Sequence, residues 1–236
     1  MRRRARGSAR KNRGGGRRGQ GSLTLSRLLG EAALAAGLDV TVSEIHGMSQ
    51  RGGVVTSAVM IGGLKSPIIG AGDADVLVAF EPVEALRAAA LVSRKTVVVV
   101  NVRKNVPFGL SLSGGAYPDV MTVLNGFVGT AERLYAFDAT SLAEQAGSAL
   151  AANVVLLGAL ARTGCLPIEE EALAETIRQK RRRGLWNRIF ARFPWAATRS
   201  GPSRTRLRHR VPRAFVTPCL RDPRDRGRRR PRASRA

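Results

Sequence analysis

DVLVAFEPVEALRAAALVSRKTVVVVN, residues 75–101, decides the fold class. Val76-Leu77-Val78-Ala79-Phe80 is a short unbroken apolar run, and Val97 to Val100 repeats it. Runs of this length without polar alternation belong to strands buried on both faces, as in parallel sheets. Between them, Pro82 to Val92 fits a helix with its proline in the first turn, where the missing N–H has no intrahelical partner anyway. Strand, helix and strand at this spacing form a βαβ unit.

The pattern continues in both directions. Upstream, Leu25, Leu28, Leu29, Ala32, Ala33 and Ala36 fall on one face of a 3.6-residue period, predicting a helix over 22–36 that Gly37 ends. Leu38, Val40 and Val42 alternate with polar residues as a strand. A polar loop follows from Glu44 to Gly53, and Val54, Val55, Val59 and Ile61 mark the next strand. Downstream, helices are expected over 117–129, over 140–161 with a bend near Gly147, and over 168–179. A strand at 134–137 ends in Asp138, which reads as an N-cap for the helix after it. The expected fold is α/β: a three-layer αβα sandwich around a mostly parallel sheet.

Charge divides the chain differently from hydropathy. The formal net charge is +23. Residues 1–20 hold nine Lys/Arg and no acid, residues 21–179 eleven against fifteen Asp/Glu, and residues 180–236 twenty against two. The body at 21–179 is thus mildly acidic, and the basicity belongs to its ends. Residues 1–20 read as a disordered basic segment. Residues 180–236 read as a Pro/Arg-rich tail, mostly disordered, with Trp186, Ile189, Phe190 and Phe193 as the apolar stripe of a short basic helix. A body of this size can bury a core without disulfide or metal. Two cysteines, Cys165 and Cys219, fall short of the four that an iron–sulfur cluster usually takes. No apolar segment follows the basic start as in a signal peptide, and no apolar run is long enough to span a bilayer, so the default location is the cytoplasm.

The densest functional signal is Glu44-Ile-His-Gly-Met-Ser-Gln-Arg-Gly-Gly53, a loop between two strands. Open α/β sheets bind ligands at such strand ends. Gly52 and Gly53 allow close backbone approach, and Arg51 can hold an anion bidentately. A tight turn with a surface arginine and a locally bonded His46 accounts for the same residues. Asn101 ends a buried strand before another loop. No nucleophile–base constellation or metal set can be placed, so catalytic, cofactor-binding and metal residues are all expected to be none.

These segments together resemble the gamma-type domain of the pyruvate/ferredoxin oxidoreductases, on the side of the indolepyruvate ferredoxin oxidoreductase beta subunits. The resemblance rests on Gly19-Gln20-Gly21, Leu28-Leu29-Gly30-Glu31-Ala32-Ala33, Ser43 to Gly53, Ala74 to Leu77, Glu81-Pro82, Asn101, Tyr117-Pro118, Asp138-Ala139-Thr140 and Asn153 to Gly158. It implies the small subunit of a complex that oxidatively decarboxylates arylpyruvates to aryl-acetyl-CoA. Thiamine diphosphate and iron–sulfur clusters are then bound by a large partner subunit, and this chain binds no cofactor. Ferredoxin and CoA are reached through the complex. Glu44, His46, Gln50, Arg51, Gly52, Gly53 and Asn101 become candidates for facing the partner or substrate.

Two departures stand out. In the family an apolar strand leads into a Gly-x-Gly-Gly-Gln-Gly turn. Here that region reads Ala9-Arg-Lys-Asn-Arg-Gly-Gly, and a row of arginines cannot be buried in a sheet. The resemblance also fades near Gln179. Arg-rich ends that begin where the pattern stops are what out-of-frame translation of a GC-rich gene produces, and both ends read that way. A sheet short of its first strand is expected to exchange amide hydrogens fast at 38–42 and 76–80. The alternative function is a nucleic-acid-binding protein that uses the basic ends as arms on an α/β body.

Overall fold

The computed structural model describes residues 20–46, 54–63, 66, 68–104, 116–180 and 214–220. In chain order the elements are α1 (Gln20–Ala35), β1 (Val40–His46), β2 (Val54–Ile61), β3 (Val76–Ala79), α2 (Pro82–Arg87), β4 (Val97–Asn101), α3 (Val120–Asn125), β5 (Arg133–Phe137), α4 (Ala139–Gln145), α5 (Ala152–Arg162), α6 (Glu170–Lys180) and β6 (Ala214–Leu220). One sheet carries the six strands in the order β1-β2-β6-β3-β4-β5. β2 is antiparallel to both β1 and β6, whereas β6–β3, β3–β4 and β4–β5 are parallel. The sheet is mostly parallel, as expected.

The apolar runs are buried on both faces because successive side chains point to opposite sides. Val76, Val78, Val97 and Val99 pack in a core with α1, α4, α5 and α6. Leu77, Ala79, Val98 and Val100 pack on the other side with Ala85 of α2 and Val123 and Leu124 of α3. Three layers follow directly from that alternation.

Helix ends match local chemistry. Gly37 has φ 74°, its N–H bonds to Leu34 O, and the Leu38 N–H returns to Ala33 O, closing α1 in a Schellman arrangement. The Asp138 carboxylate accepts from Ser141 N at 2.8 Å, as the N-cap reading required. Gly147, at φ 100°, separates α4 from a 3₁₀ turn at Ala149–Ala151 that leads into α5. Two helices are shorter than expected. α2 stops at Arg87 and passes into a 3₁₀ turn at Ala89–Leu91. α3 begins only after Pro118, which disfavours helical geometry at Tyr117, and Asp119 caps it through Thr122 N at 2.8 Å.

Beyond α6, only Ala214–Leu220 of the basic tail is among the described residues, and it forms a central strand between β2 and β3. The physical reason lies in composition. Ala214-Phe-Val-Thr-Pro-Cys-Leu220 is the longest charge-free run after residue 180, bounded by Arg213 and Arg221. It can therefore enter a sheet without desolvating a charge. The expected stripe of Trp186, Ile189, Phe190 and Phe193 lies outside the described residues, as does the Arg-rich segment at 1–19.

Candidate functional site

Strand direction locates the site. β1 is antiparallel to β2, β2 to β6, and β6 is parallel to β3, so β1, β6, β3, β4 and β5 all run the same way. Their carboxyl ends share one edge of the sheet, where open α/β folds place ligands. Glu44 to His46, expected in a loop, are the last residues of β1, and His46 stands at this edge opposite Val55 of β2; residues 47–53 lie outside the described residues. The start of α1 is there too: a Cβ on Gly21 would lie 2.7 Å from Cε1 of Phe80, just beyond β3.

Among the expected site residues, Glu44 is exposed near the end of β1 and stands across from Ser57 in register. His46 is placed as the last residue of that strand. Gln50, Arg51, Gly52 and Gly53 lie outside the described residues. Asn101 is elsewhere on the same edge. Four strand intervals separate β1 from β4, roughly 19 Å at ordinary spacing. The sheet therefore brings the ends of β1 and β4, with His46 and Asn101, to one edge but holds them apart.

Asn101 is 3% exposed. Its Nδ2 donates to Phe80 O at 3.1 Å and to Thr140 Oγ1 at 3.0 Å. Its Oδ1 accepts from Ala139 N at 2.9 Å and from Arg103 N at 3.4 Å. One amide thus ties the ends of β3 and β4 to the start of α4. That is the arrangement of a clamp on the strand ends, with its hydrogen-bonding capacity used inside the fold.

Beside it lies a cluster that sequence reasoning did not single out as a site. Tyr117 Oη donates to Glu81 Oε2 at 3.1 Å and accepts from Val83 N at 3.4 Å. Burial and the nearby Glu81 carboxylate push the Tyr117 phenol well above its usual range. Glu84 is fully buried and receives Arg87 Nη1 at Oε1. Burial raises its carboxyl pKa, and Arg87 offsets this only in part. Outside these acids sit two exposed cations. Arg103 reaches Asp138 Oδ2 at 3.5 Å and Ser141 Oγ at 3.4 Å, and Lys104 Nζ lies 5.9 Å from the Tyr117 ring centroid. Burial raises the Asp138 carboxyl, but bonds from Ser141 and Arg103 outweigh it, leaving its pKa below the usual value. The only sequence signals were the dipeptides Glu81-Pro82 and Tyr117-Pro118, which gave no hint that they meet.

Chemically, the edge offers cations for an anionic group over a buried, hydrogen-bonded acid pair. Among the described residues no group of three His, Cys, Asp or Glu is placed to hold a metal ion. Cys165 is buried against Thr163 Oγ1 at 2.7 Å, and burial raises its thiol pKa. Cys219 sits on β6 opposite Val55. Two thiols on separate elements do not make a cluster's ligand set. No helix among the described residues is long and apolar enough to cross a membrane.

A model of the pyruvate ferredoxin/flavodoxin oxidoreductase family matches residues 12–193. The chain belongs to that family. Among curated members, the indolepyruvate oxidoreductase subunit IorB of Archaeoglobus fulgidus is 42% identical over 166 residues, covering 69% of this chain and 83% of that one. The subunit of the same name from Methanothermobacter thermautotrophicus is 39% identical over 160 residues, covering 68% and 82%. Among solved structures, the pyruvate oxidoreductase subunit PORC of Thermotoga maritima superposes with a TM-score of 0.50 at 23% identity, covering 73% of this chain and 86% of that one. That likeness supports the α/β fold alone. As a member of the family the chain is an oxidoreductase subunit, and β6 lies beyond the part that the family model matches.

Proposed function

We propose that this chain is the small subunit of a ferredoxin-dependent aryl 2-oxoacid oxidoreductase of the indolepyruvate type, working in the cytoplasm. The complex decarboxylates an arylpyruvate, joins the remaining acyl unit to CoA and passes two electrons to ferredoxin. A large partner subunit holds the cofactors; thiamine diphosphate supplies the electron sink for decarboxylation, and iron–sulfur clusters conduct the electrons. This chain contributes a docking edge. The observation that carries the reading is the 42% identity over 166 residues with an indolepyruvate oxidoreductase subunit.

The site supports a docking role. β1 is the terminal strand of the sheet, and it exposes Val42 and Ile45. An open strand edge with exposed apolar side chains is a ready surface for another chain. Arg103 and Lys104, just past β4 at the carboxyl edge of the sheet, suit an anionic group, on the partner or on the CoA that it uses.

The test is reconstitution. The full chain alone is expected to leave ferredoxin oxidised when given indolepyruvate and CoA. Mixed with a thiamine- and cluster-bearing large subunit, it should support rapid ferredoxin reduction with indolepyruvate and much slower reduction with pyruvate. Turnover by the chain alone, or a preference for pyruvate, would overturn the proposal.

A further inference from the structure

The centre of the sheet is filled from a distant part of the chain. β6 follows 33 residues, 181–213, after the end of α6. It separates β2 from β3, so neither has its inner neighbour unless this segment is in place. All seven residues of β6 pair with β2. Only Phe215 and Val216 pair with β3, although β3 pairs along its whole length with β4. Pro218 has no N–H to give to either side, and proline inside sheets is ordinarily confined to edges and bulges. β6 is therefore held less completely than a central strand usually is, while the slot it fills is lined by buried residues such as Val59, Val76 and Leu77.

We infer that this slot is an exchange site that accepts residues 214–220 from a second copy of this chain, producing a strand-swapped dimer. The ladder is the same whichever molecule supplies the strand, so the balance rests on the connection alone. An intervening stretch of 33 residues reaches up to about 110 Å when extended, far enough to serve a neighbouring molecule. Its own slot is favoured only by an effective concentration that falls as the connection lengthens. Exchange of an identical element between protomers is a low-cost route to dimers. The exchanged segment itself, residues 214–220, carries no charged residue.

The register supplies the test. Cys219 is the Cα partner of Val55, and opposed antiparallel residues stand at a separation that a disulfide can bridge. The full chain carrying Val55→Cys is oxidised at a series of protein concentrations and run on a non-reducing denaturing gel. The same chain with Cys219→Ser added serves as control. A covalent dimer is expected, growing several-fold over about a hundredfold rise in concentration and absent from the control. A bond found only within single chains at every concentration overturns the inference, and so does no bond at all. Light scattering on the unmodified chain gives a second reading: a concentration-dependent dimer that Val216→Asp abolishes is expected, and a strict monomer at all concentrations counts against exchange.

Discussion

Asn101 shows what a single side chain settles at this sheet edge. Replacing it with alanine leaves Ala139 N and Phe80 O without the partners they have inside the fold. Asn101→Ala is expected to lower stability by roughly 2–3 kcal/mol, read as a lower denaturant midpoint at an unchanged slope. Glu84 makes a pH argument of the opposite kind from an ordinary surface carboxylate. Its folded-state pKa is raised above 4.5 by burial, so the folded protein favours the protonated form. The stability this contributes is complete below that value and is lost as pH rises through the raised one. Glu84→Gln removes the dependence. Melting temperatures measured from pH 4.5 to about pH 7 should shift in favour of the variant as pH increases; an unchanged difference would count against the buried-acid reading. Neither residue's role was readable from its neighbours in sequence. Asn101 stood out as a strand-end polar residue and so as a candidate for facing partner or substrate, but its four bonds reach the end of β3, the start of α4 and the chain just past its own strand.

At the level of elements, the pairing of α1 with the sheet depends on small residues. Gly30 lies within the helix, where alanine would ordinarily add up to about 1 kcal/mol of stability. A Cβ there would stand 2.9 Å from Val42 Cγ2 of β1. Gly30→Ala is therefore expected to lower the melting temperature in spite of its better helix propensity, because the stiff β-branched neighbour must give way. An increase would mean that α1 and β1 are not in close contact. Existence and type of the elements were legible almost throughout, since periodicity and capping are local. Their lengths were less so. The expected 117–129 helix shrank to Val120–Asn125 because Pro118 and the Asp119 cap define its start. The 82–92 helix gave way to a 3₁₀ turn after Arg87.

For the whole molecule, β6 changes what is expected of the sheet. The loss of an apolar first strand implied fast hydrogen exchange at 38–42 and 76–80. With β6 between β2 and β3, the 76–80 amides are expected to exchange slowly in the intact chain. They should become fast in Val216→Asp, which puts a charge on the central strand at a residue paired with both β2 and β3. Equal protection in the two chains would show that β6 does not hold the sheet. The basic ends also carry a whole-chain consequence. Any affinity for nucleic acid should fall steeply with salt through counterion release; a salt-independent affinity would count against the basic ends as its source.

By itself the sequence determined the layer architecture, the direction of the βαβ units and the family, because unbroken apolar runs, helical periodicity and a dense loop motif are local signals. Tertiary structure alone decided which segment sits in the middle of the sheet and which polar groups meet at its carboxyl edge. Tyr117 reaches Glu81 across 36 positions, and β6 pairs with β2 across more than 150. No periodicity records such meetings, because they are selected by burial and hydrogen bonding between surfaces that exist only once the layers have packed.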